Sequence, residues 1–500
     1  MGLIHLVGQN HYNKIFNYND LNEFNREIII LENQNVLSLG TARDIFVTGN
    51  YGNLIRELDE FGNLIWEDLI VVDSLSMYSN WTHCYQQIND SILVVFSSAT
   101  NSEITEFYPY YLKYNTQSNQ IINIKIYEMF PMGAAIYSSV IHNDGYIYGA
   151  GFKDFNTAFE DLLIMKLDIE GNLIWSRTFD LGINEHAFDI ESFNDNLILS
   201  GQQSGPLFDD TESFIMIIDS SGAQLDYIEP ILFGSSGIIA TEIHNDEIYF
   251  ATETQVVNGD GNSDDRIQYL AKFDADLNII WEQTIEKTDI YGINFRRMEI
   301  LNDEIIIGAN IVDSLQLTNN KVWSYACSYD LDGNFNWEHV YFYDSTFTHH
   351  IDDIEVAENG DLIFMGTVIT PLANPLPQQN LWLFRTDSDG CGIVQDICYS
   401  SIEDYFYSNS MLVSTDNYVM EDNLISIHGN PFQVQLSFTT NATITSNMHY
   451  EIFDMHGRLV KFDTVKPNNL IETSKWTAGF YVLAVYQENV LIGKERLVKE

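Results

Sequence analysis

The sequence has little basic charge, little proline, few cysteines and no long apolar run, and each shortage closes off a class of protein. Only 23 lysines and arginines stand against 72 aspartates and glutamates, a formal charge of -49. A surface of that sign repels phosphate backbones and anionic lipid, which excludes nucleic-acid and peripheral membrane binding. It suits a protein that stays soluble outside a cell, or one that holds divalent cations. No stretch approaches the roughly eighteen apolar residues of a transmembrane helix. The first ten residues, Met1 to Asn10, have a short apolar patch but no basic lead and no small-residue cleavage site, so no export leader is visible. Leu6 stands where a myristoylation signal needs Ser or Thr.

What is present points to an all-β globular protein. Hydrophobic residues make up 45% of the chain and include 28 Tyr and 30 Phe, which excludes disorder. With nine prolines in 500 residues, aromatic and β-branched residues recur in short strand-like runs. The length predicts more than one unit. Of the four cysteines, Cys84 and Cys327 fall in apolar runs and read as buried free thiols. Cys391 and Cys398 lie in a polar segment and are expected to form a local disulfide after export; a zinc site would need more ligands than these two.

Internal repetition is the strongest signal. Asp59-Glu-Phe-Gly62-Asn63-Leu-Ile-Trp66 returns as Asp168-Ile-Glu-Gly171-Asn172-Leu-Ile-Trp175 and as Asp330-Leu-Asp-Gly333-Asn334-Phe-Asn-Trp337. Looser copies start at Asp219, Asp274 and Asp387, and a degenerate one spans Tyr114 to Gln120. The motif describes a hairpin: Asp caps the turn, Gly takes the positive φ, and the Trp-bearing run returns as the next strand. One Trp per repeat would pack between adjacent sheets. A second turn signal precedes each hairpin, at Asn33, Asn89, Asn143, Asn194, Asn245, Asn302 and Asn359. Seven registers of about four strands, spaced 51 to 57 residues apart, predict a seven-bladed β-propeller over residues 1–400. The segment around His11 to Asn17 is the candidate outermost strand of the last blade.

The Asp-x-x-Gly-Asn-x-x-Trp hairpin resembles the repeats of quinoprotein-type propellers and of exported propellers from Bacteroidetes-like bacteria, over about 370 residues. The adjacent cysteine pair of many alcohol-oxidising quinoproteins is absent, so the resemblance does not imply that cofactor. Sialidase Asp-boxes space their Asp, Gly and aromatic residue more tightly, and no sialidase site is carried over.

Composition shifts near Asn423. Residues 428–500 balance seven basic against seven acidic residues, so the whole net charge resides in what precedes them. A linker at 401–421 and a small β-sandwich at 422–500 are expected. Asn430-Pro431-Phe432, the turn from Asp454 to Arg458, Gly479-Phe480-Tyr481 and the closing Lys494 to Lys499 strand together resemble the C-terminal sorting domain of type IX secretion substrates. Gly429 replaces the usual proline. The resemblance implies recognition by the type IX machinery through residues 428–500 and a secreted or outer-membrane surface location.

Propellers bind ligands where blade loops converge on the channel mouth. Residues ahead of the Asn turns supply the candidates: Trp81, His83, Glu185, His186, Arg296, His349 and His350. Such a set suits a sugar or a carboxylated ligand; the plainer reading is solvated loop ends. Asn258, Asp260, Asn262 and Asp264 alternate in a Gly-rich loop as calcium requires, although Ser263 replaces the expected Gly and no Glu closes the loop. Catalytic motifs are lacking. Two readings follow, a non-catalytic propeller that binds an extracellular glycan or surface protein, and a secreted polysaccharide hydrolase or lyase.

Overall fold

The computed structural model describes residues 11–391 and 425–499, apart from 20, 44–50, 73–74, 79–82, 90, 102–105, 155–158, 183, 205–210, 230–239, 257–264, 286–291, 313–321, 344–346, 371–377, 429–431, 433, 441–447, 455–458, 467–468, 478 and 488–489. The chain divides into two compact units, Met1–Ile402 and Glu403–Glu500.

Among the described residues the first unit contains seven antiparallel sheets in succession, and no helix. Each is a meander of about four strands. The first runs Asn22–Ile30, Val36–Arg43, Gly52–Leu58, Leu64–Ile70. The opening strands of successive sheets touch one another, and Asn22–Ile30 meets Thr348–Val356, so the sheets form a ring around a central channel. This is a β-propeller. The last sheet has its fourth strand from the other end of the chain: Asn13–Phe16 pairs antiparallel with Gln378–Thr386, from Asn13 opposite Phe384 to Phe16 opposite Leu381.

The repeated turn follows the third strand of its sheet, leading into the fourth in all but the last sheet, and its Asp does the same work each time. Asp59, Asp168, Asp219, Asp274, Asp330 and Asp387 each accept, through Oδ1, the backbone N–H groups two and four residues on. This Asx-type cap replaces the hydrogen bonds the reversing backbone would lose. Gly62, Gly171, Gly222, Gly333 and Gly390 take positive φ of 70° to 84°. In the copy that starts at Asp274, Leu277 holds φ 57° instead, and its buried side chain offsets the backbone cost by packing in the core.

These glycines also make room for a neighbour. A Cβ on Gly222 would lie 2.9 Å from Trp175, on Gly333 3.2 Å from Trp281, and on Gly390 2.6 Å from Trp337. Tyr111 and Tyr12 cover Gly171 and Gly62 in the same way. Each aromatic belongs to the preceding sheet, Tyr12 lying just ahead of the clasping strand. The Trp of the repeat thus presses on the turn of the next blade.

The second unit is a sandwich of two sheets. Ile425–His428, Gln435–Thr440 and Asn469–Glu472 form one; Leu459–Thr464, Met448–Asp454, Gly479–Gln487 and Val490–Lys499 form the other. Phe432, Leu436, Phe438, Tyr450, Ile452, Leu483 and Leu497 share its core. Asn430, Pro431 and the tip of the 454–458 turn lie outside the described residues.

The turn glycines separate two costs. Gly145, at φ 80°, has nothing within 4 Å of a Cβ, whereas Gly390 has Trp337 and the Tyr341 hydroxyl. Gly145→Ala should cost only the backbone term, about 1 kcal/mol, and Gly390→Ala about 2–3 kcal/mol, compared by urea denaturation.

Candidate channel site

The opening strands carry the chemistry to the ring axis, and a slip in their pairing decides which side chains arrive there. In five of them the register shifts by one residue, at Asn25/Glu27, Ile136/Ser138, Ala187/Asp189, Phe295/Arg297 and Ile351/Asp353. The unpaired residues at these bulges are Arg26, Tyr137, Phe188, Arg296 and Asp352. A bulge breaks simple alternation, so consecutive residues can serve one face. Next along come Glu27, Ser138, Asp189, Arg297 and Asp353, and two residues further Glu191, Glu299 and Glu355, with Glu242 in the fifth sheet.

The result is a buried charge network at the axis. Arg297 reaches Asp353 through Nε at 3.2 Å and Glu299 through Nη2 at 3.2 Å, and its Nη1 lies 3.2 Å from His83 Nδ1. His83 Nδ1 lies 3.0 Å from Glu191 and 3.2 Å from Asp189, which also accepts from Ser138 Oγ at 3.1 Å. The Ile28 N–H donates to Asp353 at 2.7 Å and the Tyr85 N–H to Glu27 at 3.1 Å. The network joins sheets one, two, three, four, six and seven.

Seven carboxylates share two cations here, and burial disfavours the charge left over. Burial, with Asp353 adding, pushes Glu27 up to about 8 against the opposing pull of His83 and Arg297. Burial raises Glu299 to about 7, and raises Asp353 despite Arg297. Glu242 and Glu355 are held well above the carboxylate range by burial and by Glu299. Burial and Arg297 oppose protonation of His83, but Glu191 and Asp189 together raise it well above its ordinary value. Burial opposes ionisation of Asp189 too, yet His83, Arg297 and Ser138 hold its pKa down. His83 is therefore the imidazolium partner of an ionised Asp189.

Among the described residues, two groups present carboxylate or imidazole atoms mutually within 4.8 Å, the spacing a metal ion needs: His83, Asp189 and Glu191, and separately Asp161, Asp180 and Glu185. Arg297 already supplies positive charge beside the first.

The candidates read from sequence take up different positions. His83 belongs to the axial network. Arg296 and His350 lie half-buried on adjacent sheets and both feel Asp352; burial lowers the pKa of each, and for His350 Arg296 adds to that. His186 Nε2 pairs with Glu160 at 2.6 Å and stacks on Phe152 at 4.3 Å. Glu185 is buried, and its backbone N–H donates to the Glu160 carbonyl at 2.7 Å. His349 is fully buried between the third strands of sheets six and seven, 6.1 Å from Trp323 and 5.1 Å from Trp382, and accepts the Tyr343 N–H. It packs between blades instead of lining the mouth. Trp81 and the calcium-loop residues Asn258, Asp260, Asn262 and Asp264 lie outside the described residues. Cys391 is disulfide-bonded; Cys398 also lies outside the described residues, and Cys84 and Cys327 are buried free thiols.

Reasoning from sequence missed the axial carboxylates. Their signal is a carboxylate three residues before the Asn turn: Glu191, Glu242 and Glu299 precede Asn194, Asn245 and Asn302 by three, and Glu355 precedes Asn359 by four.

Residues 426–500 match the family of secretion system C-terminal sorting domains. The protein is thus a β-propeller carrying a type IX sorting module. It is secreted or attached at the cell surface, and the tail engages the secretion machinery. No helix among the described residues is long and apolar enough to cross a membrane. No curated protein matches the sequence. Similar solved structures include the polysaccharide lyase Uly1 (9% identity, TM-score 0.45, covering 73% of this chain and 90% of that one). The lignostilbene dioxygenase of Pseudomonas brassicacearum is another (9%, 0.43, 76% and 95%). A third is the β-propeller domain of the Trilobed protease from Pyrococcus furiosus (11%, 0.40, 75% and 99%). No activity is carried from them to this chain.

The axial network sets a pH dependence. Glu27 keeps its proton in the folded state up to about pH 8 but loses it near 4.5 when unfolded. Folded chains therefore bind more protons across that window, and stability falls as pH rises through it. His83 acts in the same direction, its contribution being lost as pH rises through its raised pKa. Asp189 acts oppositely, and only as pH falls below its ordinary range. Thermal melts should show a falling Tm from pH 5 to 8. Glu27→Gln should flatten that fall, removing a stability difference between pH 5 and 8 on the order of a few kcal/mol. If the slope survives in the variant but disappears at high salt, surface charge is its source.

Proposed function

We propose that this is a non-catalytic extracellular binding propeller whose ligand, a glycan or a surface protein, rests on the channel mouth. The observation that supports it is the dispersal of the candidate catalytic groups. His186 pairs with Glu160, Arg296 faces Asp352, and His349 is closed in between Trp323 and Trp382. A hydrolase or lyase needs an acid and a base poised across one bond, and groups committed to separate neighbours do not supply it. The rim instead offers recognition surfaces. Arg296 presents a planar guanidinium, and His350, kept neutral by burial, can both donate and accept. Half-buried Tyr137 is held by stacking on the buried Phe188, with centroids 5.8 Å apart and rings nearly parallel. Bulges place Arg296, Tyr137 and Phe188 alike.

The test incubates the full-length protein with a panel of insoluble polysaccharides and scores both its depletion from solution and the release of soluble reducing ends. Depletion without release is expected. An Arg296→Ala/His350→Ala variant should bind roughly tenfold more weakly, the worth of one charged hydrogen bond. Reducing ends that the double variant no longer releases would establish catalysis at the mouth and overturn the binding reading.

A further inference from the structure

A break in the repeat opens a second site, away from the channel. Trp66 occupies in the first blade the place that Trp175, Trp281 and Trp337 occupy in theirs. Those three lie over turn glycines of the next blade. The corresponding turn of the second blade, Asn115-Thr-Gln-Ser-Asn-Gln120, has no glycine. It caps itself through Asn115 Oδ1, which accepts the Gln117 and Ser118 N–H groups, and places the positive φ on Asn119. Where the other blades close, a cavity of about 710 Å³ opens, lined among others by Trp66, Glu57, Glu32, Asn33, Gln117 and Asn119.

The indole is held by its own blade. Trp66 Nε1 donates to Glu57 Oε2 at 2.5 Å, and Asn35 donates to the other Glu57 oxygen at 2.6 Å. Trp281 Nε1, by contrast, donates across to the Leu331 carbonyl of the next turn. Trp66 packs against the core between the first two blades and also borders the cavity. A rigid aromatic with a pinned ring plane, ringed by amides and carboxylates, is a platform with polar walls.

We infer that this notch binds a neutral saccharide unit of an extracellular glycan. The pyranose ring rests on Trp66, and its hydroxyls meet Glu32, Asn33 and Gln117. The electron-rich indole face attracts the weakly positive C–H groups of a sugar ring. Hydroxyls both donate and accept, which the carboxylate and amides satisfy. The volume lies in the range of small-molecule sites. Glu32 and Glu57 repel a uronate, as does the chain's charge of -49. The site goes beyond the channel-mouth reading and does not rest on it.

The test titrates the full-length protein by calorimetry with neutral hexasaccharides of gluco, manno and galacto configuration, and with hexagalacturonate. At least one neutral hexamer should bind, and hexagalacturonate should bind more weakly. Trp66→Ala should weaken binding about tenfold or more, as expected for losing an aromatic platform. Because Trp66 also supports the blade, Glu32→Ala/Gln117→Ala is the second variant, expected to lose about three- to tenfold at unchanged Tm. Gly145→Ala, on an open turn outside both sites, should leave this binding intact. The inference is overturned if no neutral hexamer binds, if both notch variants bind as the parent does, or if only the channel-mouth variant loses binding.

Discussion

The ring is held at its outer edge by one repeated contact, an aromatic ring pressed on the backbone of a glycine in the neighbouring blade. Gly222, Gly333 and Gly390 turn the chain with a positive φ and, lacking a Cβ, let Trp175, Trp281 and Trp337 approach closely. One residue thus satisfies two demands, a local one of backbone conformation and a long-range one of packing. That coincidence explains why Gly and Trp recur together at a fixed distance: the turn of one blade is the floor on which the Trp of the previous blade lands.

The inner edge follows a different logic. Side chains converging on the axis have little volume to fill and many hydrogen-bonding partners to satisfy. Arg297 pairs with Asp353 and Glu299, and His83 with Asp189 and Glu191; each cation reaches across to another sheet, so the centre is cross-linked by charge while the perimeter is sealed by apolar area. Remaining carboxylates retain protons, since ionising all of them beside one another in a poorly hydrated space costs more than two cations return.

The sheets were legible in the sequence because turn chemistry is local. Asp, Gly and Asn report a hairpin without any knowledge of what packs on it, and even Asp274, whose turn lacks glycine, caps in the same way as Asp59. The pairing of Asn13–Phe16 with the last sheet was anticipated from its position near the chain start. The axial site was less visible. Bulges shift which residue of a pair such as Arg296 and Arg297 reaches the network, and no strand alternation foretells them. His349 and His350 looked equivalent; one entered the packing between two tryptophans and the other the rim. The carboxylates Glu191, Glu242, Glu299 and Glu355 were hidden among 72 acids, where any single one lacks contrast.

The clasp between Asn13–Phe16 and Gln378–Thr386 bears on how the chain matures. Its Trp382–Asn13 hydrogen bond joins residues 369 apart, so the circle cannot be completed until nearly the whole propeller has been made. Closing so long a loop costs only logarithmically more than closing a short one, but the clasp is the contact that must form last. A chain cut short at either end would still fold most of its blades. It would, however, display Gln378–Thr386, or the stranded Asn13–Phe16, as an unpaired edge. Such edges pair readily between molecules, so incomplete copies have a built-in route to swapping and aggregation that the finished ring denies them.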